Sequence, residues 1–284
     1  MKKIPQKEIH KYLRHNKKFP HVWCPGCSDG IVLGATIRAI AEIGWEKDDC
    51  AMVSGIGCSS RMPVYIDLNT AHTLHGRALA YATGIKMAKP ALNVIVVTGD
   101  GDASAIGGNH LIHACRRNIN LTVICINNHI YGMTGGQYSP TTPHGAIATT
   151  MPFGNIDNEF DLCKLTIGAG ATFVARTTAY HAIEMQSIIK AGFEHKGFSF
   201  IEVMCACPVI FGKLNKLGSA PEMMKQLRDS YVPLNLYDKL NDDEKNDQHP
   251  RGIFRNVEAP EYSEKYAELV KSLQPKQGES DEQA

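Results

Sequence analysis

Asp100 and Asn128 carry the first chemistry that can be read from the chain. Each stands just beyond an apolar run: Val94–Val97 stops in Gly99-Asp100-Gly101-Asp102, and Leu121–Ile126 stops in Asn127-Asn128. Asp100 offers a hard anionic oxygen and Asn128 a neutral one, and a backbone carbonyl just past Asn128 adds a third. Hard oxygens in this number suit Mg²⁺, which keeps its other positions for phosphate and water. The glycines let the backbone approach a phosphate closely, and a helix N-terminus behind them favours an anion. Together they predict a metal–diphosphate site.

The cysteines form a second constellation. Trp23-Cys24-Pro25-Gly26-Cys27 is a tight turn that can present two thiolates to one metal centre. Cys58 lies in the glycine-broken Ser54-Gly55-Ile56-Gly57-Cys58-Ser59-Ser60, and Cys205 and Cys207 in Cys205-Ala206-Cys207-Pro208. Cys24, Cys27, Cys58 and one of the last pair supply four thiolates near sheet ends. Four thiolates suit tetrahedral zinc or an iron–sulfur cluster, and spacing alone does not choose. Cys50, Cys115, Cys125 and Cys163 lie in or beside apolar runs and read as buried structural thiols.

The elements that must position these groups follow from periodicity. Strand Val94–Val97, a helical pattern from about Ala105 to Arg117 and strand Leu121–Ile126 make a βαβ unit with parallel, adjacent strands. Asp100 and Asn128 then sit at equivalent carboxyl ends, where open α/β sheets bind ligands. Strand Ala51–Ser54 precedes the Cys58 turn, and a helix of roughly Gly30 to Ile43 is expected to be capped by Asp29. His75-Gly76-Arg77 opens a helix over Ala78–Ala88 and places a histidine able to donate a hydrogen bond to a diphosphate. His72 is left without a role; His110 and His113 fall mid-helix and read as structural. Tyr138–Asn158 reads as a long loop over the site, followed by strand Ala169–Val174, helix Tyr180–His195 and strand Phe200–Met204. The fold class is α/β, a parallel sheet covered by helices on both faces.

Gly99-Asp100-Gly101 with Asn127-Asn128 resembles the cofactor motif of thiamine-dependent enzymes. The wider text, including TLHGRALAYATGIK and NNHIYGMTGGQ, resembles the β subunit of 2-oxoacid:ferredoxin oxidoreductases, most closely the 2-oxoglutarate type, over about Trp23 to Phe211. The resemblance implies the thiamine-diphosphate-binding fold, with Ile56, Gly57, Cys58, Ser59 and His75 lining the cofactor. It implies Mg²⁺ on Asp100, Asn128 and the Ile130 carbonyl, with Gly101, Asp102 and Gly132 on the diphosphate side. It also implies one [4Fe–4S] cluster on Cys24, Cys27, Cys58 and Cys207. The family's usual Ser-Pro-Cys-Pro is here Cys205-Ala206-Cys207-Pro208, which makes Cys205 a competitor; Cys207 is favoured because it precedes Pro208. The family's oxo-acid site maps to Arg61, often lysine in relatives, and Met133. A guanidinium suits that position because it pairs a carboxylate through two parallel bonds.

The implied activity is reversible oxidative decarboxylation of a 2-oxo acid, foremost 2-oxoglutarate, to acyl-CoA and CO₂, with electrons passing through the cluster to ferredoxin. The glutamate that activates thiamine comes from the α subunit in this family. This sequence offers no candidate for it, so an α partner and an (αβ)₂ assembly are expected. The competing readings are the same machinery acting on pyruvate or another 2-oxo acid, and a thiamine-diphosphate-binding subunit whose cysteines hold structural zinc.

The bulk numbers agree with an intracellular enzyme subunit. A chain of 284 residues with formal net charge +1 has no overall basic bias toward nucleic acid. No apolar run approaches the roughly 20 residues of a membrane span. The N-terminus MKKIPQKEIHKYLRH lacks the apolar core of a secretory signal, so the protein reads as cytoplasmic. Residues 1–22 form a basic arm (Lys2, Lys3, Lys7, Lys11, Arg14, Lys17 and Lys18), either solvated or a docking surface for an acidic electron carrier. The cofactor and cluster domain is expected over 23–210 and a C-terminal extension over 211–284. In the extension, Asn215–Tyr237 reads as one or two helices and Asp242–His249 as loop, with disorder after about residue 275.

Overall fold

The apolar runs become the interior of one sheet. The structure, a computed structural model, describes residues 5–16 and 19–274. Its strands are β1 Cys50–Ser54, β2 Asn69–His72, β3 Asn93–Gly99, β4 Thr122–Asn127, β5 Ile130–Tyr131, β6 Gln137–Tyr138, β7 Phe173–Thr178, β8 Ser199–Met204, β9 Tyr231–Pro233 and β10 His249–Asn256. Eight of them make the main sheet in the order β2-β1-β3-β4-β8-β7-β10-β9, while β5 and β6 pair in a small hairpin. From β2 to β7 all neighbours are parallel. β10 runs antiparallel to β7 and carries β9 beside it.

Strands buried on both faces need apolar side chains at every position, which is why these runs do not alternate. Ile95, Val97, Ile124 and Ile126 face helices Asp29–Ile43 and Ala182–Glu194. Val94, Val96, Val123 and Cys125 face helices Ala78–Ala88, Gly108–Arg117 and Leu162–Gly168. Cys50, Cys115, Cys125 and Cys163 are all buried, as their apolar surroundings require.

The central βαβ unit forms as expected. β3 and β4 are parallel with Gly99 opposite Ile126, so Asp100 and Asn128 leave neighbouring strands at one end of the sheet. The connection between them differs in detail. The chain makes a π-helical turn over Asp102–Ile106 and starts the α-helix only at Gly108. A Cβ at Gly107 would lie 2.4 Å from the Asp102 carbonyl oxygen, so this tight turn depends on glycine.

Three other expectations change. Asp29 does not cap its helix: Ser28 holds the cap position, no side chain bonds there, and Asp29 lies inside the first turn. The strand read as Ala169–Val174 is β7, four residues further on, because Gly168 and Gly170 end the helix Leu162–Gly168 first. The C-terminal extension joins the main sheet. Helix Ala220–Ser230 leads into β9, and helix Leu234–Tyr237 and a helical turn over Asp242–Lys245, where loop was read, lead on to β10. In the N-terminal arm, Lys11 pairs with Glu46 at 3.2 Å, and Arg14 donates to Thr70 and the Ile66 carbonyl, so both are engaged within the chain. Lys2, Lys3, Lys17, Lys18 and the stretch after residue 275 lie outside the described residues. Among the described residues no helix is long and apolar enough to cross a membrane.

Candidate functional site

The carboxyl ends of β1, β3 and β4 enclose a cleft. Ile56, Gly57, Cys58, Ser59, His75, Asp100, Gly101, Asp102, Asn128, Ile130 and Gly132 all line it. The sequence places these residues in four separate segments; the topology brings them to one place.

Asp100 is 2% exposed. Ser139 Oγ donates to its Oδ2 at 2.5 Å and Thr141 Oγ1 at 2.7 Å, which leaves Oδ1 without a side-chain partner among the described residues. Burial pushes its carboxyl above the usual range, opposed by the two hydroxyls and by His129. A buried carboxylate with one oxygen anchored and one free is a ready cation ligand, since a bound cation would offset the desolvation.

The turn beyond β4 is shaped by its own asparagines. Asn127 Oδ1 accepts from the His129 N–H at 3.1 Å, and Asn128 Oδ1 from the Ile130 N–H at 3.3 Å. His129 is held at φ 64°, a left-handed conformation unusual for a residue with a Cβ. The turn carries Asn128 and Ile130 back to the cleft beside Asp100.

Asp102 is the other buried acid, and it orders the cleft wall. Its Oδ1 accepts from the Gly76 N–H at 2.6 Å and the Ile56 N–H at 3.3 Å, and its Oδ2 from Thr98 Oγ1 at 2.9 Å. His75 Nδ1 meets Oδ1 at 2.5 Å, which orients the ring and leaves Nε2 as its free polar edge. Gly101 leaves no room for a side chain, since a Cβ there would lie 2.3 Å from the Tyr131 ring. Tyr131 donates its hydroxyl to the Gly101 carbonyl at 3.0 Å, and burial, with Asp100 and Asp102, pushes the phenol up to about 12. Ser59 Oγ is buried in the cleft without a partner, an orphaned polar atom facing a space that suits a polar ligand.

Next to this cleft lies a second cavity of about 470 Å³, lined by Cys24, Cys27, Cys58 and Cys207. A Cβ at Gly132 would touch Cys207 Sγ at 3.7 Å and Cys58 Sγ at 3.8 Å, so two of the thiols flank that glycine. Trp23 braces the cavity by donating Nε1–H to the Cys58 carbonyl at 2.8 Å. Among the described residues, the only ligand-type trio within 4.8 Å of one another is Asp161, Cys163 and Glu202. No three of the four cavity thiols are therefore that close. Burial pushes Cys27, Cys58 and Cys207 upward, Cys58 to about 12, and Asp29 adds to each shift. Asp29 itself accepts from Cys27 Sγ at 3.3 Å, keeps Oδ2 unpartnered, and is pushed up to about 6 by burial. With anionic groups adding to these shifts, a metal charge would be what ionises these sulfurs. Cys205 is 5% exposed, lies in the core and donates its N–H to the Asn127 carbonyl; it does not line the cavity.

Comparison with known proteins decides what kind of site this is. Residues 55–203 match the family "Thiamine pyrophosphate enzyme, C-terminal TPP binding domain". The chain is 50% identical over 263 residues to the 2-oxoglutarate synthase subunit KorB of Methanocaldococcus jannaschii, covering 93% of this chain and 97% of that one. It is 52% identical over 224 residues to the corresponding KorB of Archaeoglobus fulgidus, covering 79% and 81%. A solved 2-oxoglutarate:ferredoxin oxidoreductase from Magnetococcus marinus, with 2-oxoglutarate, coenzyme A and succinyl-CoA bound, superposes with a TM-score of 0.85. Its sequence identity is 34%, and the match covers 98% of this chain and 94% of that one. The chain belongs to the β-subunit family of 2-oxoacid:ferredoxin oxidoreductases, of the 2-oxoglutarate type.

In this β subunit Arg61 and Met133 also meet, with Arg61 Nη2 4.0 Å from Met133 Sδ at the thiol cavity. Among the described residues no glutamate lines the cleft. Two sets of residues in the β subunit were not foreseen. Ser139 and Thr141, in the loop read only as a cover, hold Asp100. Buried Arg176 and Glu202, with half-buried Asp161, form an ion-paired group behind the Asn127 turn. Loops carry no periodicity that would single out two hydroxyls, but a glutamate in the apolar run Phe200–Met204 was a visible irregularity.

Asp102→Asn tests the wall. With asparagine the amide oxygen keeps the Gly76 and Ile56 N–H groups and its NH₂ turns to Thr98, but the charge that holds the His75 ring is gone, so thiamine diphosphate affinity is expected to fall about tenfold, with a stability loss of about 1–2 kcal/mol. Calorimetric titration and thermal unfolding of the β subunit with its α partner would read both.

Proposed function

We propose that this chain is the catalytic β subunit that binds thiamine diphosphate, Mg²⁺ and one [4Fe–4S] cluster and, with an α subunit in an (αβ)₂ assembly, oxidises 2-oxoglutarate. The products are succinyl-CoA and CO₂, with electrons delivered to ferredoxin, and the reaction is reversible. The family's chemistry and the named relatives support the substrate; the same machinery acting on pyruvate or another 2-oxo acid is the nearest alternative. A cytoplasmic location belongs to the same reading.

The observation that carries it is that the two cavities share a wall: Cys58, Asn128, Gly132 and Met133 line both. A site built only to bind a cofactor has no need of four thiols across that wall. When bound, thiamine diphosphate supplies the nucleophilic carbon for the oxo acid and the cluster accepts electrons one at a time. The protein's own part is placement. Asp100, Asn128 and the Ile130 carbonyl would hold Mg²⁺, and Ser59, His75 and the Gly101–Asp102 turn would face the diphosphate. Cys24, Cys27, Cys58 and Cys207 would hold the cluster. Arg61, with no carboxylate partner among the described residues, would pair the substrate carboxylate, and Met133 would pack against the substrate. The activating glutamate would come from the α subunit.

An anaerobic experiment tests this. The chain is purified with its α partner, 2-oxoglutarate is added, and visible absorption and electron paramagnetic resonance are followed before and after coenzyme A. A brown protein whose cluster is reduced by the oxo acid is expected. A colourless, zinc-containing protein would remove the redox reading, and equal turnover of pyruvate would remove the substrate choice.

A further inference from the structure

Glu202 is 1% exposed in the middle of β8, between Cys125 of β4 and Arg176 of β7 in register. A fully buried carboxylate in a central strand is costly unless every lone pair is used. Its Oε2 accepts from Arg176 Nε at 2.7 Å and from Cys163 Sγ at 3.4 Å, and Arg176 Nη2 reaches Asp161 Oδ1 at 2.7 Å. Its Oε1 accepts from Asn127 Nδ2 at 2.8 Å.

That last bond fixes a direction. With its nitrogen turned to Glu202, the Asn127 amide must present Oδ1 to the turn. There Oδ1 accepts the His129 N–H and lies 3.1 Å from Thr141 Oγ1. The first contact holds the left-handed His129 that swings Asn128 and Ile130 to the cleft. The second links to Asp100, because the same Thr141 hydroxyl lies 2.7 Å from Asp100 Oδ2. His129 Nδ1 closes the loop on the Thr141 carbonyl at 2.7 Å. A reversed amide would set an NH₂ against the His129 N–H and undo this arrangement.

We propose that Glu202, anchored by Arg176, is a positioning residue for the Mg²⁺ site: acting through the Asn127 amide, it sets the turn that presents Asn128 and the Ile130 carbonyl and aligns Asp100. This rests on the reading of Asp100 and Asn128 as metal ligands. Glu202 touches neither cofactor nor substrate; what it controls is hydrogen-bond polarity along a buried line.

The polarity can be inverted and restored. In Glu202→Gln one oxygen must serve both Arg176 and Asn127. The charged Arg176 takes it, so the new amide nitrogen faces Asn127 and turns that amide over. Adding Asn127→Asp restores the direction along the line: the glutamine nitrogen donates to one aspartate oxygen, and the other accepts the His129 N–H while the Thr141 hydroxyl proton stays on Asp100. Mg²⁺ is titrated calorimetrically into the metal-stripped αβ complex saturated with thiamine diphosphate, with thermal unfolding measured alongside. Glu202→Gln is expected to weaken Mg²⁺ binding ten- to a hundredfold, roughly the range seen for residues that orient metal ligands. The double variant is expected to return to within about threefold of wild type. Wild type that takes up no Mg²⁺ would overturn the site assignment and this role with it. Wild-type binding with an unchanged Glu202→Gln would overturn the role alone, as would a double variant that assembles but does not recover. Where the single variant does not assemble, the double variant decides by itself on the same affinity criterion.

Discussion

Asp100→Ala is expected to abolish Mg²⁺-dependent binding of thiamine diphosphate and to lower kcat/KM by roughly a thousandfold or more, since a catalytic metal contributes several kcal/mol and each 1.4 kcal/mol is tenfold. The cluster's visible absorption should be unchanged, because no thiol depends on Asp100. Direct titration of the cofactor, with and without Mg²⁺, measures the first effect; unaltered cofactor affinity would remove Asp100 from the metal site. The raised carboxyl adds a pH dependence whose sign is fixed. Burial favours the protonated form in the folded apoprotein. The ionised group is therefore a cost to the fold above that raised range, relieved as pH falls through it. Mg²⁺ binds only the ionised form and offsets that cost. Mg²⁺ with thiamine diphosphate should thus raise the melting temperature more above the raised carboxyl range than within it, and its affinity should weaken at a higher pH than an ordinary carboxylate would allow.

Cys207→Ser and Cys205→Ser should separate cleanly. Cys207 lines the thiol cavity and its sulfur flanks Gly132 beside Cys58. Serine there is expected to leave the complex short of iron, with ferredoxin reduction reduced to background, while thiamine diphosphate still binds. Cys205 is buried in the core behind the cavity. Its replacement should keep full iron content and turnover, with a stability loss of about 1–2 kcal/mol for burying a hydroxyl in place of a thiol. Iron analysis, visible absorption and unfolding midpoints read the pair. The reverse pattern would make Cys205 the ligand.

Much of this was legible because strands and glycine turns are local. The runs around Val94–Val97 and Leu121–Ile126 needed no long-range partner to be recognised as strands buried on both faces, and their ends fixed Asp100 and Asn128. Most of the misreadings have long-range causes. β7 was placed four residues early because Arg176-Thr177-Thr178 looks polar, yet Arg176 is buried by its pairing with Glu202 and Asp161, 26 and 15 residues away. β10 contains Pro250 and Gly252, which weaken a strand signal, and it forms because β7 offers an unpaired edge. Asp29 satisfied the rule for a helix cap, but its carboxylate turned to Cys27 instead. Ser139 and Thr141 could not be told from other loop hydroxyls until the fold set them against Asp100.

Gly132 gives the shared wall its final property. Where the two cavities meet it has only a hydrogen, and a methyl group there would rest at 3.7 and 3.8 Å from two sulfurs, filling the gap without a clash. On the proposed reading, in the language of electron tunnelling, Gly132 would keep the barrier between donor and acceptor free of any side chain of its own. No relay side chain is called for, and timing would pass to whatever gates substrate and coenzyme A. It also makes Gly132 a graded control: successive carbons added there would thicken the insulation before they disturbed the fold.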